Sequence, residues 1–273
     1  MNGISVTQET ISPEMAATYL ALNTHNRPLV EKRVDTISND IVEGNWTFNG
    51  ESIKFSATDK LLDGQHRLEA IVRAGKPIDS LVIRGLPEEA QDTVDTGAKR
   101  TLGNVLALKG EAHVNTLAAG IRLSYYLTKY GEPKTGPLNY PSNSELLRYF
   151  AANADLRDAA PLASQAAHSS LRIPSGMACT LYCHMTRLDP ERAKTFWDQL
   201  LMNDAPKNSP IWALRETLTR DLSRPHRMGT NHKVALVIKA WNSWLDGRKM
   251  DYILWRAAGA GAENFPQLHA PIE

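Results

Sequence analysis

A change in sequence pattern near residue 98 constrains the fold of this chain more than any other feature. Before it, segments with helical periodicity alternate with short runs typical of β-strands, at 52–56, 60–62 and 81–84. After it, the pattern predicts helices alone, over about 101–108, 113–130, 142–153, 155–168, 175–187, 190–202, 210–223, 231–246 and 250–258. We therefore predict an α+β protein, with a small mixed α/β domain over 1–98 and a mainly α-helical domain over 99–273.

The composition is that of a globular protein without a membrane-spanning segment. Hydrophobic residues make up 42% of the 273 residues and charged residues 22%, which is enough apolar surface to bury a core. No run of eighteen apolar residues occurs, and the polar stretch 1–10 lacks the apolar core of a signal peptide. Two cysteines, Cys179 and Cys183, are too few for a disulfide scaffold and favour a reducing compartment. We expect a cytoplasmic protein with no membrane partner.

Positive charge is concentrated in the second half of the chain, although the net charge is only +1. Residues 172–256 carry 14 Lys and Arg against 8 Asp and Glu, an excess of six positive charges, whereas residues 1–171 carry 17 against 20. An excess of this kind is typical of a surface that faces phosphates. The alternative is a solvated helical face whose acidic partners lie elsewhere.

The residues best suited to chemistry lie at 63–67, where a predicted strand, a glycine turn and a predicted helix meet. Glycine permits a tight turn, the N–H groups that begin a helix attract anions, and an arginine adds a planar fork of donors. A histidine exchanges protons near neutral pH, and an aspartate holds a metal ion or acts as a base. We assign phosphate or nucleotide binding to Gly64, Gln65 and Arg67, and catalysis to Asp63 and His66. The alternative is an ordinary turn in which Asp63 caps the helix while His66 and Arg67 are solvated.

The sequence Asp63-Gly64-Gln65-His66-Arg67, followed by an apolar helix, resembles the signature loop of the ParB/sulfiredoxin superfamily and matches the DGQHR motif of a related domain group. The wider pattern is similar to that of ParB-like proteins from actinobacterial phages and mobile elements, at Asn26-Arg27, Gly44-Asn45-Trp46 and Asp95-Thr96-Gly97. The resemblance is specific over about 26–110 and only general in the helical half.

The resemblance implies a ParB/sulfiredoxin-like fold for the N-terminal domain and a phosphate site at 64–67. ParB proteins bind a nucleoside triphosphate at this fold and bind DNA through a following helical domain. Sulfiredoxins carry a cysteine in the loop where this chain has Gln65, so sulfinate reduction is not expected. A free-serine kinase also uses the fold, and other relatives are nucleases or belong to DNA-modification operons. The implied cofactor is a nucleoside triphosphate with Mg²⁺, and the expected partners are a nucleotide, DNA and, in a homodimer, a second copy of the chain.

Three functions are compatible with these features. The first is an enzyme of phage or mobile-element DNA processing or modification, in which the loop holds a phosphate and Asp63, His66 or Asp95 moves protons or holds a metal ion. The second is a non-catalytic DNA-binding or partition-like protein in which a bound nucleotide acts as a switch. The third is a small-molecule phosphotransferase of the serine-kinase kind. The sequence favours the first function and does not name its substrate.

A second polar turn, Asp95-Thr96-Gly97-Ala98, precedes the first predicted helix of the second half. The same short motif occurs in aspartic proteases, but those enzymes need two copies in an all-β fold. We predict instead that Asp95 faces the Asp63 loop as a third catalytic residue. We assign further phosphate or nucleotide contacts to Asn26, Arg27, Lys99 and Arg100. The alternatives are a helix-capping turn at 95–100 and a surface turn at 26–27.

Cys179, Cys183 and His184 form a C-x-x-x-C-H pattern on a predicted helix. Two cysteines at positions i and i+4 share a helix face and can ligate a metal ion, but the histidine points off that face and no second cysteine pair occurs. We therefore interpret both cysteines as buried apolar residues and predict no metal site.

DNA contacts are assigned to arginines of the basic half, namely Arg215, Arg220, Arg224 and Arg227. The first three recur at spacings of five and four residues, so they share one broad helix face. Trp241 falls on an apolar helical stripe with Val234, Ile238 and Leu245, so we interpret the tryptophans of this segment as core residues; the alternative is that they stack on a nucleic-acid strand. The alternative for the arginines is ion pairing with acidic residues of the same half, namely Asp198, Asp204, Glu216 and Asp221.

Overall fold

The computed structural model describes residues 3–24, 28–93, 100–133 and 140–270. The chain divides into two compact units, the first comprising Met1–Lys99 with Gly136–Arg148 and the second Arg100–Thr135 with Tyr149–Glu273. Strands and helices both occur in the first unit, whereas the described part of the second is built from helices, so the α+β class is confirmed. Residues 136–148 belong to the first unit, although the sequence analysis places them in the helical domain; the boundary at 98 stays a prediction.

The first unit contains a four-stranded sheet, as far as its described residues go, formed by β1 (Ser5–Ile11), β2 (Ser52–Ser56), β3 (Leu61–Asp63) and β4 (Ile78–Leu86). The strand order is β1-β4-β2-β3, and β4 pairs antiparallel with β1 and parallel with β2. β2 also pairs antiparallel with β3. The sequence predicted β2, β3 and β4 but missed β1, because only Ile11 of this edge strand is buried and no alternating apolar face marks it.

Three α-helices of the first unit enclose an apolar core with the sheet: α1 (Pro13–Leu20), α2 (Glu31–Val42) and α3 (Gln65–Ala74). A short 3₁₀ helix follows at Glu88–Thr93. α3 packs against both α1 and α2. The three α-helices and four strands all contribute to this core, whose fully buried members include Ile11, Val34, Ile53, Phe55, Leu68, Ile71 and Val82. The helix that follows the 63–67 turn is therefore the central helix of the unit.

The segment 136–148 is tied to α2 by polar contacts. The Ser142 hydroxyl donates to Asp40 at 2.6 Å, and the Arg148 guanidinium donates to the Gly44 carbonyl at 3.1 Å. The ammonium of Lys32 lies 3.3 Å from the centre of the Tyr140 ring. Burial raises the pKa of Asp40, and the Ser142 hydrogen bond opposes that shift.

The helices of the second half are α4 (Leu102–Leu108), α5 (Val114–Tyr130), α6 (Asn143–Ala152), α7 (Leu156–His168), α8 (Ser175–Leu188), α9 (Pro190–Met202), α10 (Pro210–Leu222) and α11 (Thr230–Leu245). Each agrees with a predicted helix to within one residue at either end. The helix predicted over 250–258 is wrong, because these residues are not helical. Their backbone groups bond elsewhere: Met250 donates its N–H to the Asn208 carbonyl, and the Leu254 carbonyl accepts from Lys239 at 2.7 Å.

The close approach of α5 and α8 depends on two glycines. A Cβ placed at Gly176 would lie 2.5 Å from the Cβ of Ala119, and one at Gly120 would lie 2.8 Å from the sulfur of Cys179. The Thr180 hydroxyl donates to the Gly120 carbonyl at 2.9 Å across this contact. α8 also packs against α7, α9 and α11, so it forms the centre of the second unit.

Trp241 is fully buried, as the core interpretation of its helical stripe predicted, whereas Trp244 and Trp255 are half-buried. Trp197, which that interpretation did not cover, is also fully buried. The Phe196 ring meets the rings of Trp197 and Trp241 edge to face. In the part of the chain that the structure describes, no helix is long and apolar enough to cross a lipid bilayer.

Candidate functional site

The turn between β3 and α3 requires the glycine at its centre. Gly64 has a backbone φ of +108°, which residues other than glycine rarely adopt. A Cβ at this position would lie 3.0 Å from Cγ1 of Ile53 and 3.3 Å from its Cα. The start of α3 is therefore pressed against β2, and the Gly64 carbonyl accepts the N–H groups of Arg67 and Leu68 at 3.0 Å each.

Asp63 is the centre of a small charged cluster. Its Oδ2 lies 2.8 Å from the Lys54 ammonium and 3.6 Å from Nη2 of Arg67, and its Oδ1 accepts the Gly64 N–H at 2.8 Å. Gly64, and not Asp63, occupies the N-cap position of α3. The interpretation of Asp63 as a helix cap is therefore wrong. Its carboxylate instead pairs with Lys54 and Arg67 and accepts a hydrogen bond from the turn.

Arg67 and Lys54 are largely removed from solvent. The side chain of Arg67 is 12% exposed and that of Lys54 is 22% exposed. Nη2 of Arg67 donates to the Ser52 carbonyl at 2.7 Å and lies 4.0 Å from the Glu51 carboxylate. Sequence reasoning missed Lys54, although a lysine between Ile53 and Phe55 in a predicted strand is an unusual signal.

His66 and Gln65 bind the segment between α1 and α2. The Val30 N–H donates to Nε2 of His66 at 3.1 Å, and the Asn23 amide donates to Oε1 of Gln65 at 3.0 Å. Both residues are only 5% exposed. Because Nε2 of His66 accepts a hydrogen bond, it carries no proton in this state. The solvated histidine and arginine of the alternative interpretation are therefore not found.

Four assigned residues, Asn26, Arg27, Asp95 and Lys99, lie outside the described residues. Arg100 is exposed, precedes α4 and belongs to the second unit. The assignment of Asp95 and Arg100 to the same site as His66 stays a prediction.

The four arginines assigned to DNA differ in their surroundings. Arg215 directs its guanidinium to the carbonyls of Leu200 and Leu201 at the end of α9, and it also contacts the Ser170 hydroxyl at 3.3 Å. Burial lowers the pKa of Arg215. The other three, Arg220, Arg224 and Arg227, are exposed and form no ion pair with a carboxylate in the described ranges.

The loop between α10 and α11 is fixed by Asp221, a residue that sequence reasoning considered only as a pairing partner of the arginines. Asp221 is buried, accepts the Met228 N–H at 2.8 Å and pairs with the Lys233 ammonium at 2.9 Å. Hydrogen bonding to Met228 and the charge of Lys233 lower the pKa of Asp221 although burial opposes them. Asp198 pairs with Lys194 rather than with an arginine.

Cys179 and Cys183 are free, buried thiols, as predicted. Burial raises the pKa of both to about 12. No cluster of three or more His, Cys, Asp or Glu able to hold a metal ion occurs in residues 3–24, 28–93, 100–133 or 140–270. Nε2 of His184 is hydrogen-bonded to the Ser124 hydroxyl at 2.7 Å and not to either cysteine.

Comparison with known proteins adds no relative. No protein-family model matches the chain, and neither the curated proteins nor the solved structures contain a match. The likeness to ParB/sulfiredoxin proteins thus rests on the sequence of the 63–67 turn and its flanks.

The two ends of α3 give a matched test of the Gly64 contact. Gly75 also has a positive φ, of +63°, but a Cβ there would meet nothing within 4 Å. Gly75→Ala is therefore expected to cost about 1 kcal/mol through backbone strain alone. Gly64→Ala adds the clash with Ile53, and we expect a further loss of about 1–3 kcal/mol. Native-state hydrogen exchange of the β2 amides measures both; equal losses would show that Ile53 does not press on the turn.

His184 gives a prediction for the pH dependence of stability. Burial and the nearby Arg187 lower the pKa of His184 to about 4, from an ordinary value of 6.5. Below pH 6.5 the unfolded chain gains a proton that the folded chain does not, so stability falls as the pH decreases toward 4. Between pH 7 and pH 5 this histidine should cost about 2 kcal/mol.

Urea unfolding of the wild type and His184→Gln at both pH values isolates this contribution, because other titrating groups are common to the two proteins. The glutamine variant should lose less stability on acidification. An identical loss in both proteins would mean that folded His184 accepts a proton as readily as the unfolded chain does.

Proposed function

We propose that the first unit binds the phosphate groups of a nucleotide at the 63–67 turn, in the manner of ParB/sulfiredoxin-like proteins. The observation that carries this proposal is the meeting of two largely buried cations, Lys54 and Arg67, on Asp63 at the start of α3. Among the described residues, Asp63 contacts both cations, while the second nearby carboxylate, Glu51, is 66% exposed and lies 4.0 Å from Arg67. Because Glu51 is largely solvated, its charge offsets the two cations only weakly.

The geometry of the turn suits a phosphate in particular. The start of a helix directs N–H groups and the positive end of its dipole toward an anion. An arginine presents parallel donors and a lysine presents a point charge, and both occur in phosphate sites. Gly64 permits the positive φ that brings the start of α3 next to Lys54 on β2. A phosphate oxygen would compete with Asp63 for Lys54 or Arg67.

The contacts of Asp63 and His66 support binding better than they support catalysis by these two residues. Asp63 accepts from Lys54 and from the Gly64 N–H, and Nε2 of His66 accepts from Val30. A general base needs a free acceptor within hydrogen-bond reach of the proton it removes. We therefore favour a ParB-like protein in which the nucleotide is bound as a switch, and keep the DNA-processing enzyme and the serine-kinase-like phosphotransferase as alternatives.

A nucleoside triphosphate would bring Mg²⁺ with it, and the donor set beside the turn suits that ion. Magnesium in nucleotide sites takes one or two protein carboxylates together with phosphate oxygens and water. Asp63 and Glu51 each lie within 4.0 Å of Nη2 of Arg67, so two carboxylates adjoin the proposed phosphate position. When bound, the ion would neutralise phosphate charge, and these two residues would hold it.

The second unit is proposed to contact DNA through a basic loop, a name used here for Arg220 in the last turn of α10 together with Arg224, His226 and Arg227 in the loop that follows. All four side chains are exposed, and the loop backbone is held by Asp221 through the Met228 N–H. Arg215 is left out of this surface because its guanidinium bonds to carbonyls at the end of α9. Within the described residues these three arginines form no ion pair at 4.0 Å or less, and exposed arginines on a fixed backbone suit phosphate contacts that do not depend on base sequence.

Buried free thiols accord with a cytoplasmic protein.

Nucleotide binding is tested by replacing the two cations separately. Arg67→Ala and Lys54→Met should each weaken nucleoside triphosphate binding about tenfold or more, the effect of one hydrogen bond to a charged group. Lys60→Met is the matched control, since Lys60 lies beside β3 but pairs with the exposed Glu88. Calorimetric titration with Mg²⁺ and ATP, CTP or GTP measures the affinities, and phosphate release measured in parallel distinguishes an enzyme from a switch. Equal affinities in all four proteins, with circular dichroism unchanged, would remove the turn from the binding site.

DNA binding is tested by the salt dependence of affinity. The combined variant Arg220→Ala, Arg224→Ala and Arg227→Ala should reduce the slope of log K against log salt by about three. The control removes three positive charges from the opposite end of the α10–α11 pair, with Lys207→Ala, Arg248→Ala and Lys249→Ala; the Met250–Asn208 hydrogen bond marks that end. The control should keep the wild-type slope. Equal slopes in both triple variants, or no DNA binding by the wild type at low salt, would exclude the loop as the DNA contact.

A further inference from the structure

A half-open cavity of about 300 Å³ lies in the second unit, between the ends of α5 and α8, α11 and the C-terminal segment. Its walls are mainly apolar, formed by Leu127, Leu188, Ile238, Pro266 and Leu268. A few polar residues interrupt them: Thr128, His184, Arg187 and Gln267. Small-molecule sites commonly combine a concave apolar surface of this size with a few placed polar groups.

Two of the polar residues are linked by a chain of hydrogen bonds that begins and ends at the cavity wall. The Thr128 hydroxyl bonds to the Tyr149 hydroxyl at 2.9 Å, and Tyr149 bonds to the Ser124 hydroxyl at 2.7 Å. Ser124 in turn bonds to Nε2 of His184 at 2.7 Å. Ser124 is fully buried, so the chain fixes the orientations of Thr128 and His184 from behind.

Arg187 is the charged residue of the cavity wall. Its Nε and Nη2 bind the two oxygens of Asp155 at 2.7 Å each, and Nη2 also donates to Asn153 at 3.0 Å. Asp155 does not line the cavity. The bonds of the Arg187 guanidinium to described residues run through Nε and Nη2, so the two N–H groups of Nη1 remain for a ligand.

We propose that this cavity is a binding site for a small monocarboxylate with an apolar body, held by Arg187 and the Thr128 hydroxyl. The apolar body would occupy the space between Leu127, Ile238 and Leu268. The site belongs to the second unit and uses none of the residues of the 63–67 turn, so it stands independently of the phosphate site.

A single negative charge fits this wall better than a phosphate dianion. Arg187 supplies one positive charge, and Asp155 already offsets part of it. His184 adds no second cation at neutral pH, because burial keeps its imidazole uncharged. A second ligand charge would therefore be desolvated among apolar side chains without a partner. When Nε2 of His184 donates to Ser124, each hydroxyl of the chain donates to the next, and the Thr128 hydroxyl is left as a neutral donor for a carboxylate oxygen.

Calorimetric titration of the full chain with hexanoate, hexanamide and hexylamine tests the proposal. Hexanoate should bind at a 1:1 ratio and about tenfold or more tightly than its neutral amide, and hexylamine should not bind. Arg187→Gln should remove the preference for hexanoate. Asp155→Asn should strengthen hexanoate binding severalfold, because it keeps the cation and removes the competing carboxylate. Leu268→Trp, on the C-terminal segment away from the helices' core, should fill the cavity and abolish binding.

The opposite effects of Arg187→Gln and Asp155→Asn distinguish recognition of charge from damage to the fold, since both variants break the same ion pair. If Arg187→Gln does not fold, the comparison of hexanoate with hexanamide and the Asp155→Asn result still show whether the cavity recognises the carboxylate charge. The proposal is overturned if hexanoate and hexanamide bind equally, if neither binds at millimolar concentration, or if Leu268→Trp binds hexanoate as the wild type does.

Discussion

The close approach of the Gly64 turn to Ile53 is the constraint on which the first unit depends. It brings the start of α3 against β2, with a glycine conformation that a side chain would strain. From that position α3 reaches both α1 and α2 and completes the core around Leu68 and Ile71. The same contact aligns Arg67 on α3 with Lys54 on β2, because both elements flank the Asp63 carboxylate. Fold and candidate site therefore follow from one backbone turn.

The second unit depends on a different close contact, between α5 and α8. Gly120 and Gly176 allow these helices to approach until a methyl group would clash, and α8 then meets most of the other helices. This contact also places Ser124 of α5 beside His184 of α8. The three residues that sequence analysis considered as metal ligands therefore have different roles. The two cysteine thiols are buried apolar groups, and His184 lines a cavity and is hydrogen-bonded to Ser124.

The sequence predicted what depends on local periodicity and capping. Helices α9 and α10 begin at Asp189-Pro190 and Ser209-Pro210, where an acceptor side chain and a proline mark the first turn, and both were placed to within one residue. β1 was missed because an exposed edge strand has no apolar alternation. The helix over 250–258 was wrong because the Leu254 carbonyl bonds to the ammonium of Lys239, a contact distant in sequence.

The candidate sites show the same division. The contiguous 63–67 motif could be found from sequence, whereas Lys54 reaches Asp63 only through the pairing of β2 with β3. Arg215 shares its helix spacing with Arg220, but the packing of α9 against α10 turns its guanidinium to the Leu200 carbonyl. Ser124 and His184 are 60 residues apart, and no local pattern connects them. Residue types were predictable, but their partners depend on tertiary contacts.

The central claim, that the turn is a phosphate site, is tested most directly by NMR titration of the full chain with inorganic triphosphate. This probe has no base or sugar, so it reports phosphate recognition alone. We predict saturable shifts of the Gly64 amide and of the Arg67 Nη and Lys54 Nζ resonances, because a phosphate competes with Asp63 for two hydrogen bonds and for the ion pair with Arg67. Shifts confined to the basic loop around Arg224, with these three resonances unmoved at saturation, would contradict it.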